Sequence, residues 1–117
     1  MLILHDPPVS AQLLKNTYLY DLKLRGPTPR GIGFSMDAEA ATAAFFGDRS
    51  EAARLFNQSW RHVWVEPYGM IKETPGEDNA NFLTNFGSLL QTAMVGLTGI
   101  RVAHPGWTKY AATLPEG

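Results

Sequence analysis

The stretch "SMDAEAATAAFFGDRSEAARLFNQSWRHVW", residues 35–64, decides what kind of body this chain builds. Its first half is rich in Ala, the strongest helix former. Ser35 is placed to cap the N-terminus, and Asp37 and Glu39 bring negative charge to the positive end of the helix dipole. Gly47 ends the segment, because Gly takes the left-handed conformation that closes a helix. Asp48 stands three residues before Glu51, the spacing of a capping box, and opens a second helix in which Ala52, Phe56, Trp60 and Val63 recur at helical intervals. The pattern predicts helices over 35–46 and 49–63. Two helices joined by so tight a turn run antiparallel.

Working outward, "VSAQLLKNTYLY" at 9–20 follows the Pro7-Pro8 pair and sets Val9, Leu13, Leu14, Thr17 and Tyr20 near one face, which predicts a short helix. "LRGPTPRGIG" at 24–33 is a shaped loop, dense in Gly and Pro. On the other side, Glu66 to Asn79 is a loop, and a third helix is predicted over 81–97. That helix carries Phe82, Phe86, Leu89, Leu90, Ala93, Met94 and Leu97 on one broad face, with Gly87 and Gly96 permitting close backbone approach. It stops near Thr98-Gly99. Phe56, Trp60, Phe86, Leu90 and Met94 are expected in the core. "IRVAHPGW" reads as a short strand or extended exit, and "YAATLPEG" as an apolar approach to a proline.

Composition removes several functions. At 117 residues the chain is one domain or less, burying roughly two-thirds of its unfolded surface. It is 18% charged, low against the usual ~25%, and its aromatic residues imply apolar area meant to be covered. The net charge of -1, with no basic stripe to neutralise successive phosphates, argues against nucleic acid. There is no Cys, and His5, His62 and His104 lack ligand spacing, so no metal and no cofactor is expected. "MLILHDPP" is too short for a signal peptide, which favours a cytoplasmic location. Phe82 to Val102 holds Thr84, Asn85, Ser88, Gln91 and Thr92, too polar for a lone membrane span.

The run "GFSMDAEAATAAFFGDRSEAARLFNQSWRHVWVEPYGMIKET", continued by "NFLTNFGSLLQTAMVGLTGIRV", resembles the closing part of the catalytic barrel of glycoside hydrolase family sixty-five. That family includes acid trehalases, disaccharide phosphorylases and glucosidases acting on glucosyl-galactosyl-hydroxylysine. The chain is most similar to the last branch, well over Ser35 to Val102 and loosely over Pro8 to Pro29. The resemblance implies an all-α fold: the last helices of an (α/α)6 barrel over residues 1–102. Residues 103–117 would then be an exit segment toward a missing C-terminal β-domain. Glu73 falls where the hydrolase branch keeps its general base, although "IKETPGEDN" replaces the aromatic-Thr-Glu-Asn context usual there. The general acid of the family lies in a region N-terminal to this chain.

Inverting glycosidases need one carboxylic acid for the leaving oxygen and one carboxylate for water, and from the residues alone no such pair can be picked among Glu66, Glu73, Glu77 and Asp78. Glu66 precedes Pro67 and is extended, a supporting or structural carboxylate. Glu77 and Asp78 suit the surface or a helix cap. Trp60 sits at core spacing, whereas Trp64 and Tyr68 could be packing or could stack on sugar rings. Gly31 to Ser35 matches a stretch that nears the active site in the family, which makes Phe34 and Ser35 substrate-contact candidates beside their role as helix entry. The phosphorylase branch builds a phosphate pocket from a His and small hydroxyl residues where this chain has Phe82, Leu83 and Thr84, so hydrolysis is preferred. The expected partners are a carbohydrate substrate, an α-glucoside, and either the remaining barrel segments or a homo-oligomer over an apolar face. Two alternatives stay open: a disaccharide phosphorylase fragment, and a small helical protein that binds a partner or glycan without turnover.

Overall fold

A computed structural model describes residues 9–25, 33–76, 81–103 and 106–109. His5, His104, Glu77, Asp78, most of the Gly/Pro loop and the last eight residues lie outside the described residues. What is described is mostly helical. The order is α1 (Ala11–Arg25), α2 (Gly33–Phe45), α3 (Arg49–Arg61), the strands β1 (Trp64–Val65) and β2 (Met70–Ile71), then α4 (Leu83–Gln91). A π-helical turn (Thr92–Gly96) extends α4, and β3 (Ile100–Ala103) and β4 (Gly106–Lys109) follow. The strands form two separate antiparallel hairpins, Trp64 opposite Ile71 and Ile100 opposite Lys109.

The central helix pair forms as the sequence predicts. Gly47 adopts φ 82° after α2, and the Asp48 carboxylate caps α3 by accepting from the Glu51 amide at 3.1 Å. The Asp48 N–H donates to the Ala43 carbonyl at 2.9 Å, and the Glu51 carboxylate accepts from the Arg54 guanidinium at 2.7 and 2.5 Å. Asp48→Ala is expected to cost about 1 kcal/mol, read from thermal unfolding; an unchanged midpoint would show that the cap contributes nothing. The pair is antiparallel: Gly33 at the start of α2 lies against the Ser59 carbonyl near the end of α3, while Ala44 packs with Ala52 across the turn.

Two clusters make the core. Met36, Ala40 and Leu55 form one between α2 and α3. Tyr18, Ala43, Ala44, Ala52 and Leu97 form the other, flanked by Leu22, Phe46 and Phe56, with the Tyr18 and Phe46 rings stacked at 5.5 Å. Helix α1 runs past the expected end at Tyr20 and docks through Leu14, Tyr18 and Leu22, leaving Leu13, Tyr20 and Leu24 exposed. In α3 the most buried positions are Ala52, Leu55 and Ser59, and the expected core residues Phe56 and Trp60 are half-buried beside them.

The helix that follows turns much of its expected inner face outward, although Leu97 is buried as expected. Leu90 and Met94 are 60% and 66% exposed, and Phe86 is only half-buried. The side turned inward carries Asn85, Ser88, Thr92 and Gly96. Ser88 Oγ donates to the Phe34 carbonyl at 3.2 Å and Thr92 Oγ1 to the Asp37 carbonyl at 3.1 Å. A Cβ on Gly96 would stand 2.6 Å from Ala41 Cβ. The Ala-rich wall of α2 lets α4 approach so closely that short polar side chains reach the backbone of α2, whose carbonyls each retain a second lone pair. Larger apolar side chains would hold the helices apart. Leu83, Phe86, Leu90 and Met94 therefore form an outer stripe, and no residue from 81 to 100 is charged.

Candidate functional site

The candidate residues gather at one end of the α2–α3 pair, where α2 begins, α3 ends, and the β1–β2 hairpin leads toward α4. Gly33 makes the junction possible. A Cβ there would meet the Ser59 carbonyl at 2.5 Å and Asn85 Nδ2 at 2.9 Å, too close for any side chain. Into this space comes Asn85, 1% exposed. Its Oδ1 accepts from the Phe34 N–H at 2.8 Å and its Nδ2 donates to the Lys72 carbonyl at 2.7 Å. One partner is a donor and the other an acceptor, so the amide has a single satisfactory orientation.

That amide explains why α2 starts at Gly33 and Ser35 is not its cap. An N-terminal N–H of a helix needs an acceptor from outside, and Asn85 supplies it to Phe34. Ser35 becomes a half-buried residue of the first turn. The Phe34 ring is half-buried and lies 6.4 Å from Phe82.

Glu73, half-buried, leaves β2 on a backbone held from three sides. The Lys72 N–H donates to the Val63 carbonyl at 3.0 Å, its carbonyl accepts from Asn85, and the Phe82 N–H donates to the Ile71 carbonyl at 2.8 Å. Phe34 and Glu73 are thereby tied to one side chain. Trp64 and Tyr68 sit apart from that amide, on the hairpin itself. The Trp64 indole N–H donates to Glu66 at 2.8 Å, its ring meets Trp60 edge-on at 5.8 Å, and it lies against Gly69, where a Cβ would be 2.9 Å away. Gly69 takes φ 65°, so glycine serves that turn twice. Tyr68, at the turn, is 83% exposed. Glu66 thus orients an indole, a supporting role.

A cleft of about 240 Å³ at the same end is lined by Met36, Gln58, Arg61 and His62. The His62 imidazole Nδ1 contacts the Gln58 carbonyl, and the Arg61 guanidinium lies 5.3 Å over the Trp60 ring. The residue after Met36, Asp37, is 1% exposed. It is not a first-turn charge serving the dipole, because α2 begins four residues before it. Burial pushes its carboxyl up from 3.8 to about 6, against the opposing pull of the Ser59 and Ser88 hydroxyls, and Oδ1 has no hydrogen-bond partner.

Asn85 and Asp37 are the residues that sequence reasoning missed. A signal for Asn85 was present: with Ser88 and Thr92 it makes a polar stripe along an otherwise apolar helix.

No protein-family model matches the chain. Over 70 residues, 60% of its length, it is 29% identical to a kojibiose hydrolase of Mucilaginibacter mallensis. The matched stretch spans only 10% of that hydrolase. The chain is thus similar, at a distance and over part of its length, to a glycoside hydrolase.

Proposed function

We propose that this chain is the closing part of the catalytic barrel of an inverting α-glucoside hydrolase and contributes Glu73 as its general base. The observation that carries the reading is the anchored backbone around Lys72. A base that activates water must hold its place against the reacting carbon, and Glu73 follows a residue bonded to Val63, just before β1, and through Asn85 of α4 to the start of α2. Phe34, Ser35, Trp64 and Tyr68 are the substrate contacts in this reading, the two hairpin rings offering faces on which a sugar can stack. The general acid, required for paired-carboxylate chemistry, comes from a barrel segment outside this chain. The remaining segments, or a second copy, cover the outer stripe of Leu83, Leu90 and Met94. Likeness to a kojibiose hydrolase supports a glucosyl disaccharide or glucosyl-glycan as substrate.

The test is a chimera in which the matched stretch of the Mucilaginibacter mallensis hydrolase is replaced by that of this chain. It is expected to hydrolyse an α-glucoside and release the β-anomer first, read by NMR before mutarotation. First release of the α-anomer overturns the mechanism. A folded chimera that binds the sugar without cleaving it favours glycan binding without turnover.

A further inference from the structure

Asn85 is an unusual choice for its place. Asn is a poor helix former, and burying its amide costs free energy unless both ends are hydrogen-bonded. Both are, and to backbone groups of two segments far apart in sequence: the Phe34 N–H, 51 residues away, and the Lys72 carbonyl, 13 residues away. The first bond begins a helix. The second fixes the peptide that joins Lys72 to Glu73. An aliphatic side chain can do neither, and a hydroxyl must donate and accept through a single atom, whereas the carboxamide presents its acceptor and its donor on two separate atoms of one planar group.

Resting on the assignment of Glu73 as the base, we infer that Asn85 is a positioning residue for it: the side-chain amide locks the Lys72–Glu73 peptide to the N-terminus of α2, and with it the direction in which the Glu73 carboxylate leaves the loop. Gly33 is the complementary part of the device, since its missing side chain leaves the space that the amide fills. Lys72 is half-buried and acts through its backbone.

The two bonds can be separated. Asn85→Asp keeps an acceptor for Phe34 but, when ionised, loses the donor to Lys72. In the full 117-residue chain, 15N relaxation of the Glu73 amide is expected to drop from an order parameter of about 0.85 to below about 0.6, with α2 and α3 amides unchanged. Asn85→Ala, which adds no buried charge, is read the same way if the aspartate variant does not fold. In the unmodified chain the Asn85 Nδ2 to Lys72 carbonyl bond should appear as a scalar coupling across the hydrogen bond. Its absence, or a Glu73 amide that stays rigid in a folded variant, overturns the inference. In the chimera, the same variants should lower kcat about a hundredfold with KM nearly constant; loss confined to KM would also overturn it. If Glu73 loosens in the chain yet Glu73→Gln leaves hydrolysis intact, the assignment of the base fails, and with it any catalytic meaning of the clasp, while the clasp itself stands.

Discussion

Glu73→Gln is expected to lower kcat of the chimeric hydrolase by about a hundred- to ten-thousandfold, the usual contribution of a general base, with substrate affinity nearly unchanged. The amide keeps the size and most of the polar surface of the carboxylate, so ground-state contacts survive. What it cannot do is accept the proton of the attacking water. A loss that appears in kcat and kcat/KM alike marks an interaction made only in the transition state. The hairpin rings provide the contrast: Trp64→Ala removes a proposed stacking surface and should act mainly on KM. Full activity in the Gln variant would show that another carboxylate is the base.

Why the central helices were legible while the site was not follows from how each is encoded. Ala content, Gly47, and the Asp48 cap act within a few residues, so sequence order is enough to reveal α2 and α3. Helix α4 is different. Hydrophobic periodicity assigns the apolar stripe of Phe86, Leu90 and Met94 to the core, on the premise that apolar surface packs inward. Here the wall it meets offers Gly33 to Asn85 and Ala41 to Gly96, with the Asp37 carbonyl accepting from Thr92, and against so close a surface small or short polar residues fit better than large apolar ones. Such a fit depends on a partner more than forty residues away in sequence, which no local pattern reports. The start of α2 is not legible locally for the same reason: Asn85, not the nearby Ser35, accepts from its first turn. The polar inner face and the uncharged outer one also belong together. A helix that satisfies its polar groups inward and turns Leu83, Leu90 and Met94 outward is suited to a position between two layers, as an interior element of a larger helical body.

Asp37→Asn tests the buried seam between α2, α3 and α4, and its effect depends on pH. The folded chain holds the Asp37 proton up to about 6, whereas the unfolded chain releases it near 3.8. Between those values the folded state binds more protons, so unfolding becomes easier as pH rises. The stability associated with the neutral carboxyl is fully present below 3.8 and is lost as pH passes through about 6. Displacement of this size corresponds to at most about 3 kcal/mol. An Asn amide is neutral at every pH, so it carries no charge that burial would penalise as the pH rises. Denaturation of the full chain should therefore show the Asn variant equal to the parent near pH 3 and more stable by on the order of 2 to 3 kcal/mol at pH 8. Exposed carboxylates titrate alike in both proteins, so the difference between the two curves isolates Asp37. A constant difference from pH 4 to pH 8 would mean that the carboxyl ionises in the folded chain as freely as in water, and that the seam admits solvent.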